Sequence, residues 1–114
     1  MITSSNINFD RVIKGGALIS ADHYRLYYLY KSSSGCRLGI SIPKSVISKA
    51  SERNRLKRVV RNAVEPLKET RVDVVFLLKK NLDQYSRNDD TIVREQLLRD
   101  TKIILINKKN NGIS

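Results

Sequence analysis

Between two strand-like runs, Cys36 to Ile42 and Val72 to Leu78, lies a segment whose residues sort cleanly only on a helix. Lys49 to Arg61 packs six basic residues and one acid, Glu52, into thirteen positions. At about 100° per residue, Arg53, Lys57 and Arg61 form one row, with Asn54 and Arg58 beside it. Leu56, Val59, Val60, Ala63 and Leu67 gather on the opposite side. Such a helix docks its apolar side on a core and turns a cationic row outward. Two strands joined through a helix form a crossover unit, so they are expected to run parallel in one sheet.

The remaining chain supplies that sheet and its cover. Residues 6 to 14 read as a first helix, capped by Asn6 or Asn8 and stopped by Gly15-Gly16, with Phe9, Val12 and Ile13 on one side. Ala17 to Ala21 reads as a short strand. His23 to Lys31 is rich in strand formers and places Tyr24, Leu26, Tyr28 and Tyr30 on one face, with Arg25, Tyr27 and Leu29 on the other. Ser32 to Gly35 is a turn signal, so this run and Cys36 to Ile42 are expected to form a hairpin ended by Pro43. The basic helix is expected from Ser48 to Val64, with Pro66 marking its end. Val72 to Leu78 reads as a buried strand. Asp89-Asp90 opens a last helix through about Ile106, with Ile92, Val93, Leu97 and Ile104 on its inner side, and residues 107 to 114 read as a frayed tail. The 114 residues make one domain, an α+β or α/β sandwich with helices on a four-stranded sheet.

Composition narrows the partner. Twenty-two Lys and Arg face eleven Asp and Glu, a net charge of +11. That excess calls for a polyanion, and nucleic acid is the commonest. Anionic membrane is the rival, but no apolar run approaches the ~20 residues of a spanning helix. The N-terminal residues lack a secretory pattern, and Cys36 is the only cysteine, so a cytoplasmic protein with a reduced, structural thiol is expected. His23 is the only histidine, and no P-loop, nucleophile elbow or Cys-x-x-Cys spacing is present. No catalytic residue is assigned. Gly15-Gly16 reads as a helix stop and Asp89-Asp90 as a helix-capping pair, not as phosphate or metal sites. With one acid in the run, the row Arg53, Lys57, Arg61 repels itself by roughly 0.2–0.5 kcal/mol per like pair. A row that weakens its own helix fits a surface meant for phosphates.

The string Arg53-Asn54-Arg55-Leu56-Lys57-Arg58-Val59-Val60-Arg61 resembles the signature helix of the bacterial ribonuclease P protein component. Other blocks match that family in order: Phe9 with Val12-Ile13 and Gly16, Tyr24 to Tyr27, Arg37 to Lys44, and Asp73-Val74-Val75. The resemblance implies an α+β two-layer sandwich of order αβββαβα, ribosomal protein S5 domain 2-like, with a left-handed βαβ crossover, against the usual right-handed rule. It implies the protein subunit of an enzyme that removes the 5′ leader of precursor tRNA, in which the RNA subunit is the catalyst and binds Mg2+, with none held stably by the protein. The partners implied are the catalytic RNA and precursor tRNA, with no DNA and no membrane. By the same resemblance, Arg53, Asn54, Arg55, Lys57, Arg58 and Arg61 would face the catalytic RNA. Phe9, Ile13, Tyr27, Arg37, Ser41 and Lys44 would line a cleft for the single-stranded leader. Two departures stand out: Ile13 occupies a place where the family usually has an aromatic, and nothing before Arg11 is positive. A general RNA-binding protein without a role in cleavage is the alternative. A DNA-binding regulator fits poorly, because four strands leave no helix-turn-helix pair.

Overall fold

The computed structural model describes residues 7–111. The order is α1 (Phe9–Gly15), β1 (Ala17–Ser20), β2 (Tyr24–Tyr30), β3 (Cys36–Ser41), α2 (Ala50–Ala63), β4 (Val72–Leu78) and α3 (Arg87–Asn111), with a single 3₁₀ turn, Glu65–Leu67, after α2. This is the expected αβββαβα succession.

Local chemistry sets the boundaries. The Asn8 side chain accepts from the Arg11 amide at 3.1 Å and starts α1; Asn6, the other candidate cap, lies outside the described residues. Gly16 closes the helix, its amide donating to Val12 O at 2.9 Å. A Cβ there would lie 2.5 Å from Val12 O and 2.6 Å from Tyr28 O, so the helix end and β2 can touch only across a glycine. Pro66 sits within the 3₁₀ turn that ends α2. Asp89 accepts from the Ser86 amide at 2.7 Å and caps the start of α3, which runs on past Ile106 to Asn111.

The sheet order is β1-β2-β4-β3. The expected hairpin of β2 with β3 is therefore corrected. β4 lies between them, antiparallel to β2 and parallel to β3. The reason is burial. β4 is buried at six of its seven positions, as a strand covered on both faces and paired on both edges must be. β2 forms its hairpin with β1 instead, through a tight turn in which the Ala21 amide donates to Tyr24 O at 2.9 Å. The parallel pairing of the strands on either side of α2 is as expected.

One sheet face carries Tyr24, Leu26, Leu38, Val74 and Phe76, all buried with Leu56 and Val60 of α2 and Val93, Leu97 and Ile104 of α3 in one core cluster. Ile92, expected inside, is 42% exposed. The inner stripe of α3 steps 93, 97, 100, 104, and Ile92 falls off that line. On the other face lie Tyr27, Val75 and Gly39, in register across β2, β4 and β3. α1 rests there against β2 and β4. Its buried Val12, like Val75, stands apart from the main cluster. The two-layer description is thus corrected by a partial third layer: a central strand with Val75 and Leu77 on this face needs cover here too.

Candidate nucleic-acid interface

α2 begins after Lys49 without a side-chain cap. Arg53 supplies the missing tie. Its Nη1 donates to Ile47 O at 2.9 Å and Ser48 O at 2.8 Å, binding the incoming loop to the first turn. Arg55 reaches the other way. Its Nε donates to Asp90 Oδ2 at 2.6 Å, at the start of α3, and this neighbour raises the affinity of the guanidinium for its proton. These two arginines border the polar arc of α2. Between them run Lys57, Arg61, Asn54 and Arg58, the last three exposed. The expectation of an unpaired, self-repelling row is therefore corrected at Arg53, which is fastened to two carbonyl oxygens. The acid that α2 lacks for Arg55 is provided by α3.

Lys57 and Arg61 line a groove of about 190 Å³ with Ile7, Phe9, Leu38, Gly39 and Ile40. The basic helix and the aromatic of α1 thus meet at β3, so the two sets of residues border one groove. Gly39 makes this possible. A Cβ on it would lie 2.5 Å from Phe9 Cζ, so the ring lies flush on the strand only because no side chain stands there.

On the same face, Arg37 is held by Asp73 through two parallel hydrogen bonds, Nε to Oδ1 at 2.9 Å and Nη2 to Oδ2 at 2.8 Å. Lys31 Nζ approaches Asp73 Oδ1 at 2.7 Å. Burial alone would push the Asp73 carboxyl up, but Arg37 and Lys31 hold it below the usual carboxylate range. One carboxylate thus organises two cations, a geometry in which arginine's planar fork is rigid. Tyr27 is half-buried in the middle of the face, and Ile13 is half-buried on α1, one turn beyond Phe9. Ser41 is exposed at the end of β3, and Lys44 is exposed beyond Pro43.

Ser41 also opens onto a larger concavity of about 590 Å³, lined by Arg25, Pro43, Leu77, Lys79, Lys80 and Asn81 among others. Arg25, Lys79 and Lys80 were not among the expected site residues. The signal for Arg25 was its alternation with Tyr27; Lys79-Lys80 only becomes a neighbour once β4 is placed beside β2, where the Lys79 amide donates to His23 O at 2.9 Å. Asp89 caps α3 as expected, but Asp90 instead binds Arg55 and accepts from Tyr85 Oη at 2.6 Å. Cys36 is buried and burial pushes its thiol up to about 12, far from a reactive thiolate. Among the described residues, no three His, Cys, Asp or Glu side chains converge as a metal site, and no helix is long and apolar enough to cross a membrane.

Comparisons with known proteins agree on one family. A family model described as Ribonuclease P matches residues 3–109. The ribonuclease P protein component of Pseudoalteromonas atlantica is 29% identical over 92 residues, 79% of this chain and 77% of that one. That of Nitrosococcus oceani is 29% identical over 84 residues, 72% and 71% of the two chains. Among solved structures, the RNase P protein from Thermotoga maritima in complex with 1-(4-fluorophenyl)-2-thiourea superposes with a TM-score of 0.67 at 30% identity, over 82% of this chain and 91% of that one. A Staphylococcus aureus RNase P protein mutant with defective mRNA degradation activity gives 0.66 at 22% identity, over 89% and 87%, which speaks for the fold alone.

Proposed function

The chain belongs to the bacterial ribonuclease P protein family, a component of a ribonucleoprotein endoribonuclease of tRNA processing, and from that premise we propose how its surface divides the work. The outer arc of α2, with Arg53, Asn54, Arg55, Lys57, Arg58 and Arg61, docks the catalytic RNA. The sheet face beneath α1, with Phe9, Ile13, Tyr27, Arg37, Ser41 and Lys44, receives the single-stranded 5′ leader of precursor tRNA. The leader path continues past Ser41 into the concavity of Arg25, Lys79 and Lys80. Rings accept bases of any sequence, and flanking cations follow the backbone. The observation that carries this reading is the groove in which Phe9 meets Lys57 and Arg61. An aromatic ring and two cations lining one concave surface support the reading, since such a surface suits a stacked base and its phosphates. The chemistry belongs to the RNA and its Mg2+, and the protein supplies binding and alignment. The left-handed hand of the β3-α2-β4 crossover and a cytoplasmic location come with the same reading.

The test is reconstitution with the ribonuclease P RNA of the same organism. The chain should raise cleavage of precursor tRNA at near-physiological magnesium and salt, and purified free of RNA it should cut nothing. Lys57→Ala and Arg61→Ala should each lower the log–log salt slope of RNA binding by about 0.7 to 0.9 if each contacts one phosphate. No change in turnover or substrate affinity on adding the chain defeats the reading. Equal affinity for unrelated structured RNAs, without effect on cleavage, would identify a general RNA-binding protein instead.

A further inference from the structure

Asp90 is a carboxylate in an unexpected place. It is 8% exposed, and among the described residues each oxygen has one partner: Tyr85 Oη on Oδ1 and Arg55 Nε on Oδ2, both at 2.6 Å. A pin between α2 and α3 is not what the fold lacks, since Leu56, Val60, Val93 and Leu97 already join the two helices in the core. Nor is a buried ion pair an economical source of stability, because desolvation offsets most of the attraction. What the pair does provide is orientation. Arg55 is engaged through Nε, while its Nη groups have no hydrogen-bond partner among the described residues and the side chain is 28% exposed. Arg58, one turn further along, is exposed on the same flank of α2.

We infer that Asp90 is a positioning residue for RNA docking: it grips Arg55 by its Nε edge so that the Nη edge stands pre-ordered for a phosphate, beside Arg58. Tyr85 fixes the carboxylate in turn, by occupying the oxygen that Arg55 leaves. A guanidinium can serve two partners at once because its donors are set in a rigid planar fork; an ammonium on a lysine stem is a single point charge. Ordering the side chain before the RNA arrives removes an entropy cost from binding. This role rests on the reading of α2 as the RNA-docking helix.

The experiment uses the full chain and the ribonuclease P RNA of the same organism. Removing an acid from a basic protein should, by charge alone, tighten RNA binding. Positioning demands the opposite sign: Asp90→Asn should weaken binding about three- to tenfold, the range for losing the preorganisation of one long side chain. In an Arg55→Ala background the same change should no longer weaken binding, leaving only the slight tightening due to charge, and the salt slope of Asp90→Asn should move toward that of Arg55→Ala. Arg55→Lys keeps the charge and the core intact, so it serves even if Asp90→Asn melts early; it should bind RNA more weakly than the wild type, because the point charge of a lysine cannot serve carboxylate and phosphate as a fork does. Tighter or unchanged binding by Asp90→Asn overturns the role. So does equal weakening in both backgrounds, which would report a general loosening of α3, and so does wild-type affinity in Arg55→Lys. A wild-type chain that fails to bind the RNA would instead defeat the functional reading on which the role depends.

Discussion

Tyr24 and Tyr27 stand three residues apart on β2 and meet opposite fates. Tyr24 is fully buried, its ring 4.9 Å from that of Phe76 and its hydroxyl bonded to Asp100 on α3. Tyr27 is half-buried on the other face, opposite Leu18 and Val75 and beside strands that carry Arg37, Asp73 and Ser41. An odd spacing on a strand puts them on opposite sides. One face is closed by two long helices and filled with apolar volume. Among the described residues the other is covered only by α1, and what remains open carries Arg25 and Tyr27 beside an exposed Leu18. The closed face holds the fold together, so the open face can vary at less cost to folding.

The comparison breaks most visibly through its aromatics. Phe76→Ala on the closed face should cost about 3–5 kcal/mol of folding stability, as removal of a fully buried ring does. Against the ~5–15 kcal/mol that hold a domain together, that is a large share. Tyr27→Ala on the open face should cost much less stability, yet weaken leader binding by about 1–3 kcal/mol, the usual worth of one stacked base. Urea unfolding of both variants, with affinity for a precursor carrying a leader against one without, checks the pair. A Tyr27→Ala protein as unstable as Phe76→Ala would mean that the two faces do not divide their tasks in this way.

The closed face was largely legible in the sequence, and the open face was not. Leu56, Val60 and Ala63 repeat at helical spacing, and Val72 to Leu78 is almost continuously apolar, so local pattern alone locates what is buried. The failure at β2 and β3 has a plain cause. Both alternate and a turn signal joins them, but no local feature says that a strand from far along the chain will enter between them. The same non-locality hides the tethers of the site. Arg37 finds Asp73 36 residues away, and Arg55 finds Asp90 35 residues away. In the sequence both arginines look like free cations. The resemblance names candidate residues for the interface but carries no information on which of them the protein itself holds in place.

Gly39 tests the join between the faces with a smaller effect. A methyl group there must displace the Phe9 ring, whose Cζ would lie 2.5 Å away. Gly39→Ala should therefore destabilise by about 1–3 kcal/mol, as overpacking does, and should weaken leader binding by unseating the ring. Phe9→Ala in the same chain should recover most of the stability and none of the leader affinity. That split, read from a double-mutant cycle, separates a packing fault from the loss of a binding surface. If stability and leader affinity recover together, Phe9 is a structural plug and not a stacking platform.

Acid should separate the faces by sign, with the smallest effects. Asp73, on the open face, is held below the usual carboxylate range by Arg37 and Lys31 despite its burial. Its stabilising contribution is therefore complete above the unfolded-state value, near pH 4, and is lost as pH falls through the lower folded value. Asp100, on the closed face, is pushed up by burial, with the Tyr24 hydroxyl opposing only in part. Its ionised form is disfavoured by folding, so its contribution is present in acid and lost as pH rises through the raised folded value. Asp73→Asn should lower stability at pH 7 by about 1–3 kcal/mol, the cost of leaving partly buried cations without their acceptor, and should flatten the loss of stability below about pH 4. Asp100→Asn keeps an oxygen for Tyr24 and removes the buried charge. It should gain stability at pH 7 by less than about 1 kcal/mol and gain nothing in acid. Urea midpoints from pH 3 to pH 7 measure both. Slopes of the same sign for the two variants would show that one electrostatic environment spans the sheet, and that the difference between Tyr24 and Tyr27 is one of packing alone.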